Sequence, residues 1–208
     1  IPTTVPFQLY RSLGYRPHAP VDCFRRVSDG APAYPGSGLS CTPLPPSEGD
    51  GRLAAFLNER LGASDGYVAI DDALWRWRKR ERPSELPAEV RIVERAGRLL
   101  GCATLCRAPI TTGAEDTLSC ILSDLAIAPE ADGPAVLAGL LGGAPAGVEV
   151  LALAARADRA LCGLLQGAGF RRQPGECGMV APLSQGVEEA LAAPPRSWYV
   201  LAESVIGV

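Results

Sequence analysis

The period of the hydrophobic pattern changes near residue 88, and this change constrains the fold more than any other feature of the sequence. Before it, apolar residues recur at the spacing of one buried helix face, at Leu53, Phe56, Leu57 and Leu61. After it, residues 89–94 alternate between apolar and polar side chains as a strand does, and residues 99–106 return as a second strand. The turn between them falls at residues 96–98, which predicts a β-hairpin. The pattern therefore predicts a domain that combines helices with a sheet.

The other elements follow from the same two periods and from their capping and turn residues. Helices are expected at residues 4–13, after a cap at Asp50, after a cap near Asp71, and at residues 134–141, 156–168 and 187–192. Strands are expected at residues 21–27, 118–127, 148–154 and 198–202, and a further strand over residues 170–181 is expected to break at Pro174-Gly175. This order of elements predicts a mixed sheet with helices on both faces.

Two segments of the chain end a helix in the same way. Residues 10–16 and 165–171 both carry an apolar helical run that stops at a glycine, after which an aromatic residue opens a strand. The two glycines, Gly14 and Gly169, are 155 residues apart, about the length of one domain. The repetition predicts that the chain holds the tail of one unit followed by a second, whole unit.

The stretch between the two units is rich in proline and glycine, at Pro32, Pro35, Gly36, Gly38, Pro43, Pro45, Pro46 and Gly49. Because both residue types disfavour helix and sheet, this stretch is expected to be a linker. The predicted organisation is therefore a helix-strand tail at 1–27, a linker at 28–50 and a complete domain at 51–208.

Charge and hydropathy limit the kinds of partner. The net charge of −3 and the isoelectric point near 5.3 argue against a broad phosphate-binding surface, and so against nucleic acid. No apolar run is long enough to span a bilayer, and the first residues lack the pattern of a signal peptide, so a cytoplasmic protein without a membrane partner is expected. A basic cluster at residues 76–82 is interpreted as a solvated helix face that turns Trp75 and Trp77 inward, with a binding patch as the alternative.

The seven cysteines are interpreted as reduced, structural thiols. They form no Cys-x-x-Cys pair, and His18 is the single histidine, so the sequence predicts no metal site. No histidine lies near a cysteine in sequence to act as its base, so no cysteine is expected to be a nucleophile.

Three segments stand at the joints of the predicted order: Gly-Arg-Leu-Leu-Gly-Cys at residues 97–102, Asp-Leu-Ala-Ile-Ala-Pro-Glu at residues 124–130, and residues 158–170 with their closing Gly-Phe. Together they resemble the central hairpin, the fourth strand and the last helix of the GCN5-related N-acetyltransferase (GNAT) superfamily. The resemblance covers residues 51–202. It implies a mostly antiparallel central sheet in an α/β (α+β) domain, and transfer of an acetyl group from acetyl-CoA.

The resemblance also implies where the coenzyme would bind. In the family the fourth strand bulges and diverges from the fifth, so free backbone groups bind the pantetheine arm and polarise the acetyl carbonyl. Those groups would belong to Leu125 and Ile127. The pyrophosphate would lie on backbone amides at the start of the next helix, here Gly133, Ala135 and Val136.

The sequence departs from the family in this phosphate loop. Asp132 places a carboxylate where a basic or amide side chain is usual, and Pro134 removes an amide donor. A second interpretation of Asp132 is a helix cap without any ligand. The departure weakens the predicted phosphate site.

The catalytic residues are predicted from the same resemblance. Many GNAT members carry a tyrosine general acid on the last helix, but this chain has Leu165 there, whereas the matching position of the first tail is Tyr10. Tyr10 is therefore the candidate acid, and the alternative is an aromatic that packs its short helix onto the second domain. Asp124 is the candidate general base, and Glu94 is a second candidate.

Two functions follow from the resemblance and its departures. The first is an N-acetyltransferase in which a small-molecule or peptide amine attacks acetyl-CoA directly. The second is a catalytically degenerate domain of the same fold that serves as a partner, dimerisation or lid module. Pairing with another copy of the chain, as a homo-oligomer, stays open.

Overall fold

The computed structural model describes residues 5–30, 38–44, 51–79, 81, 86–112, 115–175, 177–192 and 199. The helices of this part of the chain are α1 (Val5–Ser12), α2 (Gly51–Leu61), α3 (Asp72–Lys79), α4 (Gly133–Leu141), α5 (Arg159–Gly167) and α6 (Gln185–Ala192). Its strands are β1 (Arg16–Val27), β2 (Ser40–Leu44), β3 (Ala88–Arg95), β4 (Arg98–Thr112), β5 (Glu115–Ile127), β6 (Glu149–Ala155), β7 (Arg171–Gln173) and β8 (Cys177–Val180).

One sheet forms the centre of the molecule. Its strand order is β2-β3-β4-β5-β6-β1-β7, and β8 also pairs with β1. Neighbouring strands are antiparallel, except that β5 and β6 run parallel. The predicted fold class, a mixed and mostly antiparallel sheet with helices, is confirmed.

Helices pack on both faces of the sheet. Successive residues of a strand point to opposite faces, so one strand can contribute to the core on each side. Ile92 and Val93 of β3 show this arrangement. Ile92 belongs to the core cluster that contains Leu53 of α2 and Trp75 of α3. Val93 belongs to the cluster that contains Leu137 of α4 and the buried residues of α5. The two clusters place α2 and α3 on one face and α4 and α5 on the other.

Strand β1 lies inside the sheet although it comes from the start of the chain. Its second half pairs with β6 on one side and with β7 on the other, and its first half pairs with β8. Residues 16–27, predicted as part of the tail of a preceding unit, thus complete the sheet of the unit predicted at 51–208. Whatever the origin of this strand, it is structurally part of the described domain.

Asp22 fastens β1 to both of its neighbours. Its buried carboxylate accepts a hydrogen bond from Arg156, which follows β6 (Nη2 to Oδ1, 2.8 Å), and another from Arg172 of β7 (Nε to Oδ2, 2.7 Å). The hydrogen bond from Arg156 lowers the pKa of Asp22, and Arg172 lowers it further, against the opposing effect of burial. The ionised carboxylate therefore fixes the position of β1 relative to both strands.

The prediction that residues 28–50 form a linker without strands is wrong for β2. This strand pairs with β3, and Pro43 lies opposite Arg91. Proline is tolerated there because β2 is the edge strand, so one side of its backbone needs no partner in the sheet. Leu44, at the end of β2, is buried in the core and contributes to holding the strand in place.

Two of the predicted turns and breaks are confirmed. The β3–β4 hairpin turns at Ala96 and Gly97, which both have positive φ (50° and 77°), as the favoured two-residue hairpin turn requires. The predicted break at Pro174-Gly175 separates β7 from β8, and a Cβ at Gly175 would lie 2.2 Å from the carbonyl oxygen of Val21. The strand predicted at 198–202 lies outside the described residues except for Tyr199, which belongs to no helix or strand.

Candidate functional site

Strands β5 and β6 diverge at the centre of the sheet. They pair in parallel as far as Leu122 and Ala152, and the register between them ends there. Both strands continue beyond this point, β5 to Ile127 and β6 to Ala155. The facing edges of the two strands therefore separate into a cleft.

A β-bulge in β5 begins where the strands diverge. Thr104 of β4 pairs with Ser123, whereas Cys102 pairs with Ala126, so β5 holds one extra residue in this interval. Asp124 in the bulge has a φ of 50°, a left-handed conformation that is uncommon for a residue other than glycine. The bulge thus places a backbone irregularity at the mouth of the cleft.

A cavity of about 60 Å³ lies between the diverging strands. Its lining includes Asp124 and Leu125 of the bulge, Leu165 of α5, Ser64 after α2, and Tyr199. A volume of this size holds a few water molecules or a small chemical group. The cavity therefore brings together two of the predicted site residues, and adds Tyr199, which the sequence did not predict as a site residue.

The Asp124 carboxylate is buried and is held by four donors. Lys79 Nζ lies 2.5 Å from Oδ2, and Arg78 Nη2 lies 2.8 Å from Oδ1. The hydroxyl of Thr104 donates to Oδ2 at 3.1 Å, and the hydroxyl of Tyr199 donates to Oδ1. We call these five residues the Asp124 cluster. It ties α3, β4 and Tyr199 to the bulge of β5.

The Asp124 cluster carries two positive charges and one negative charge in the protein interior. The side chains of Lys79 and Arg78 are 2% and 8% exposed. Burial by itself raises the pKa of Asp124, but the charges of Lys79 and Arg78 outweigh burial and leave that pKa below its ordinary value. Burial, followed by the charge of Asp124, raises the pKa of Tyr199. At neutral pH Asp124 is therefore an anion and Tyr199 is a neutral phenol.

Tyr199 also contacts the loop that follows α2. Its backbone N–H donates to the carbonyl oxygen of Asp65 at 2.9 Å, and its ring lies edge-on to that of Tyr67, with ring centroids 5.1 Å apart. The Tyr67 hydroxyl donates to Oδ1 of Asn58 at 2.9 Å. Burial, together with the charge of Asp124, raises the pKa of Tyr67 to about 12. This side of the cavity is thus built from two parts of the chain that are distant in sequence.

The interpretation of residues 76–82 as a solvated face with inward tryptophans is confirmed for Trp75, which is buried, and is wrong for Trp77, Arg78 and Lys79. Trp75, Arg78 and Lys79 share the inner face at the helical spacing i, i+3 and i+4, whereas Trp77 is 65% exposed. The two cations are tolerated inside because the Asp124 carboxylate offsets part of their charge and accepts a hydrogen bond from each. Asp124 is 45 residues from Lys79 in sequence, so the helix pattern alone could not reveal this partner.

The role of general base predicted for Asp124 does not fit this geometry. Its two oxygens accept from four donors, and its lowered pKa makes it a weak proton acceptor. Glu94, the second candidate, pairs with Arg52 of α2 at 2.8 Å and is not among the described residues that line the cavity. The structure therefore makes Asp124 a structural anion of the cleft and places Glu94 elsewhere.

Tyr10, the candidate acid, is not brought to the cavity by the described part of the chain. It is 46% exposed on α1, and its ring contacts that of Tyr15 with centroids 5.4 Å apart. The cavity lining at the position expected for the acid is Leu165, which is 1% exposed and has no proton to donate. The alternative interpretation, in which Tyr10 packs its short helix onto the second domain, is not supported by this exposure either, since the ring contact of Tyr10 is with the neighbouring Tyr15.

The N-terminus of α4, predicted to bind pyrophosphate, is capped by Asp132. The Asp132 carboxylate accepts from the backbone N–H of Ala135 at 3.2 Å, and its carbonyl oxygen accepts from the backbone N–H of Val136 at 2.9 Å. Pro134 has no N–H to offer. Two of the three predicted phosphate donors are thus already engaged, and a carboxylate occupies the positive end of the helix dipole. The structure thus confirms that Asp132 caps α4.

The remaining predicted coenzyme residues lie where β4, β5 and α4 pack together. Ile127 pairs with Gly101 of β4, and a Cβ at Gly101 would lie 2.3 Å from Cγ1 of Val136. Val136 is fully buried, so its side chain belongs to the core. Gly133 lies beside α5, where an added Cβ would be 3.4 Å from Leu164. Glycine at position 101 therefore permits the close approach of α4 to the sheet.

The cysteines whose side chains the structure describes are free thiols. Burial, with the charge of Asp124, raises the pKa of Cys102, and burial raises the pKa of Cys120 to about 11. Both thiols therefore stay protonated and unreactive at neutral pH. Within the described ranges, no group of three or more His, Cys, Asp or Glu side chains is placed to hold a metal ion.

The fold of the chain is similar to that of several solved structures. The chain is similar to a GCN5-related N-acetyltransferase from Anabaena variabilis, at 14% identity over 86% of this chain with a TM-score of 0.56. It is similar to a GCN5-related N-acetyltransferase from Sphaerobacter thermophilus, at 16% identity over 81% of this chain with a TM-score of 0.52. A third similar structure is a conserved protein of unknown function from Enterococcus faecalis, described as a probable N-acyltransferase, at 16% identity over 83% of this chain with a TM-score of 0.54.

These similarities show that the chain has the GNAT fold. It spans 43%, 53% and 41% of the lengths of these three proteins, in the order given. No family model matches the sequence, and no curated protein matches it. Among the described residues, no helix is both long and apolar enough to cross a membrane.

Proposed function

We propose that the chain is a GNAT-type N-acetyltransferase domain that transfers an acetyl group from acetyl-CoA to a small-molecule or peptide amine. The observation that carries the proposal is the divergence of β5 from β6 beside the bulge at Asp124. A thioester placed in this cleft would meet backbone groups of the bulge, around Leu125, at the point where the sheet no longer uses them. Such preorganised backbone donors stabilise the negative charge that develops on a carbonyl oxygen.

In the proposed reaction the amine nitrogen attacks the carbonyl carbon of the thioester directly. The new C–N bond forms, the C–S bond breaks, the nitrogen loses one proton and the sulfur leaves as a thiolate that takes up one proton. Asp124 is engaged with Lys79 and Arg78, and Asp158, the other carboxylate in the cavity lining, caps α5 through the N–H of Leu161. We therefore propose that water, rather than a carboxylate of the cleft, accepts the proton.

The proposed part of the Asp124 cluster in this reaction is to position the bulge. Asp124 holds a left-handed backbone conformation, and its carboxylate is anchored at both oxygens. Anchoring of this kind keeps the neighbouring peptide groups in a single orientation. The cluster thus supports the bulge, and the bulge in turn contacts the acyl group.

The test is a titration of acetyl-CoA while the melting temperature is followed. Binding to the folded state stabilises the protein by mass action, and so raises its melting temperature. At a ligand concentration one hundred times the Kd, the free energy of unfolding rises by about 2.7 kcal/mol. Desulfo-CoA of the same concentration serves as a control for binding that does not involve the thioester end. Absence of a shift at millimolar acetyl-CoA would contradict the proposal, and a shift would be followed by measuring thiol release with a panel of amines.

A second candidate function is supported by the cap of α4. Asp132 occupies the amide of Ala135, and Pro134 offers none, so the residues at this helix end do not fit a pyrophosphate. The alternative is a catalytically degenerate domain of the same fold that serves as a partner, dimerisation or lid module. This alternative predicts no shift of the melting temperature with acetyl-CoA, so the same titration separates the two functions.

The origin of the first residues is a further part of the proposal. We propose that residues 1–27 are the tail of a preceding GNAT-like unit, so that the described domain is the second of a tandem pair in the cytoplasm. Two of the similar structures are about twice as long as this chain, which is the length that a tandem pair would have. Neither nucleic acid nor a membrane is proposed as a partner.

A further inference from the structure

Helices α1 and α5 end with the same backbone hydrogen bonds, displaced by 155 residues. In both, a glycine with left-handed φ closes the helix: Gly14 at 90° and Gly169 at 84°. Three backbone hydrogen bonds close each helix, and those of one helix match those of the other. At the end of α1 the N–H groups of Leu13, Gly14 and Tyr15 donate to the carbonyl oxygens of Leu9, Arg11 and Tyr10, respectively. At the end of α5 the N–H groups of Ala168, Gly169 and Phe170 donate to the carbonyl oxygens of Leu164, Gln166 and Leu165. The repetition in the sequence is therefore also a repetition of local structure.

The side chains at matching positions differ sharply in burial. In α5, Leu165 is 1% exposed and Phe170, just after the helix, is 3% exposed, because both belong to the core under β6 and α4. Their counterparts near α1, Tyr10 and Tyr15, are 46% and 36% exposed. The face that α5 uses to pack on its sheet is thus uncovered in α1.

Two further leucines extend the uncovered face. Leu9 is 56% exposed and Leu13 is 63% exposed, whereas their counterparts Leu164 and Ala168 pack against the core. We call Leu9, Tyr10, Leu13 and Tyr15 the α1 apolar surface. Four large apolar side chains on two turns of helix and its end form a patch that water does not favour.

We infer that the α1 apolar surface docks on a second α/β sheet, supplied by the part of the natural polypeptide that comes before α1. The inference rests on the proposed tandem arrangement and does not depend on coenzyme binding. In this domain the chain runs from β6 to α5 and then to β7, and α5 packs on the sheet that contains β6. If the same order holds around α1, a strand upstream of α1 belongs to the sheet on which α1 lies.

A second copy of this chain is a poorer occupant. The sheet described here already has α2 and α3 packed on one face and α4 and α5 packed on the other, so the α1 of another molecule would compete with these helices. The upstream sheet would have a place for α1, because α1 would pack there as α5 packs on the sheet of this domain. The inference therefore commits to a partner within the same polypeptide.

The experiment compares variants of α1 in the natural polypeptide and in the 208-residue chain. In the natural polypeptide, Leu13→Glu is expected to lower the melting temperature by at least about 5 °C, because a charge would be buried against apolar surface. In the 208-residue chain the same change is expected to be nearly neutral, since Leu13 is largely exposed there. Gln8→Glu is the matched control, because it adds the same charge at the position of α1 that corresponds to the exposed Gly163 of α5. It is expected to leave the melting temperature unchanged in both proteins.

A second measurement keeps the inference testable if the glutamate variant fails to fold. Amide hydrogen exchange of α1 in the unmodified proteins is expected to be at least about tenfold slower in the natural polypeptide than in the 208-residue chain. Equal exchange in the two proteins, or equal effects of Leu13→Glu and Gln8→Glu in the natural polypeptide, would overturn the inference while leaving a tandem pair intact.

Three other outcomes would also overturn it, each for a different reason. A natural polypeptide without a folded unit before α1 would remove the proposed tandem arrangement as well, yet leave the acetyl-CoA titration unaffected. A dimer of the 208-residue chain that Leu13→Glu dissociates would assign the surface to a second copy. Faster exchange of α1 after removal of residues 200–208 would assign it to the chain's own C-terminus.

Discussion

At the scale of single residues, the main feature is a carboxylate that holds two buried cations. Asp124 sits between Lys79 and Arg78, with hydroxyl donors from Thr104 and Tyr199. Buried charges of this kind are weak evidence of net stabilisation, because their desolvation is costly. Removal of one partner is different, since it leaves the other charges buried without compensation.

Asp124→Asn is therefore expected to destabilise the fold by about 3 to 5 kcal/mol, because Lys79 and Arg78 would lose the charge that compensates them. Urea unfolding measures the change in the free energy of unfolding. The matched control is Glu81→Gln, which removes a negative charge from an exposed residue just after α3. It is expected to lower the free energy of unfolding by less than about 0.5 kcal/mol. Equal midpoints for the two variants would show that the cluster does not stabilise the fold.

The pKa of Asp124 gives this residue a pH dependence with a defined sign. Its folded-state pKa lies below the ordinary value of 3.8, so its contribution is fully present above about pH 4 and is lost as the pH falls from there toward the folded-state pKa. The parent protein is expected to lose more stability between pH 5 and about pH 3 than Asp124→Asn does. Asp22 also has a lowered pKa, but both proteins contain it, so it does not affect the difference. Parallel pH profiles would contradict the expectation.

At the scale of elements, the N-terminus of α4 shows a competition between a cap and a ligand. A helix start offers a few free N–H groups, and whatever binds them satisfies the same donors. Here Asp132 binds one of them and brings a negative charge with it. A helix that caps itself in this way is stable without phosphate and repels it.

Asp132→Ser combined with Pro134→Gly is expected to strengthen acetyl-CoA binding by about fivefold or more. Serine still caps the helix but removes the charge, and glycine restores one N–H donor. Isothermal titration of acetyl-CoA measures the change in Kd, with Asp71→Ser before α3 as the matched control, since that exposed carboxylate also caps a helix and does not line the cavity. An unchanged Kd in the double variant would show that the coenzyme's phosphates do not lie at α4.

The elements themselves were largely predictable from the sequence, because their causes are local. The hairpin turn at Ala96-Gly97 and the break at Pro174-Gly175 follow from turn chemistry within a few residues. The edge strand β2 was missed because Pro43 argues against a strand unless the strand is known to lie at an edge, and edge position is a property of the whole sheet.

The candidate site was less predictable, because its causes are not local. The bulge at Asp124 was expected from the resemblance, but the ion pairs that hold it join residues 45 positions apart. Tyr199 is 75 positions from Asp124, and no periodicity links the two. The sequence therefore indicated where the cleft lies without indicating which charges surround it.

At the scale of the whole molecule, the sheet is one structure built from distant parts of the chain. Strand β1 fills the position between β6 and β7, and Asp22 bonds to an arginine beside each of them. Without β1 the edge of β6 and the short strands β7 and β8 would lose their partner. Residues 16–27 are thus as necessary to the fold as the residues of the predicted domain.

Deletion of residues 1–27 is therefore expected to prevent folding, whereas deletion of residues 1–14 is expected to leave a folded domain, since the described side chains of α1 are exposed. Circular dichroism and the cooperativity of thermal unfolding distinguish a folded from an unfolded product. A cooperative transition in the protein that lacks residues 1–27 would show that the sheet closes without β1.

The central place of β1 also governs the order in which the protein can assemble during synthesis. Asp22 leaves the ribosome 134 residues before Arg156 and 150 residues before Arg172, its two partners. Contacts between such distant residues form slowly, because a long loop must close before any of its interactions are gained. Until then β1 presents two unpaired edges, which makes the nascent chain prone to pairing with a strand of another molecule.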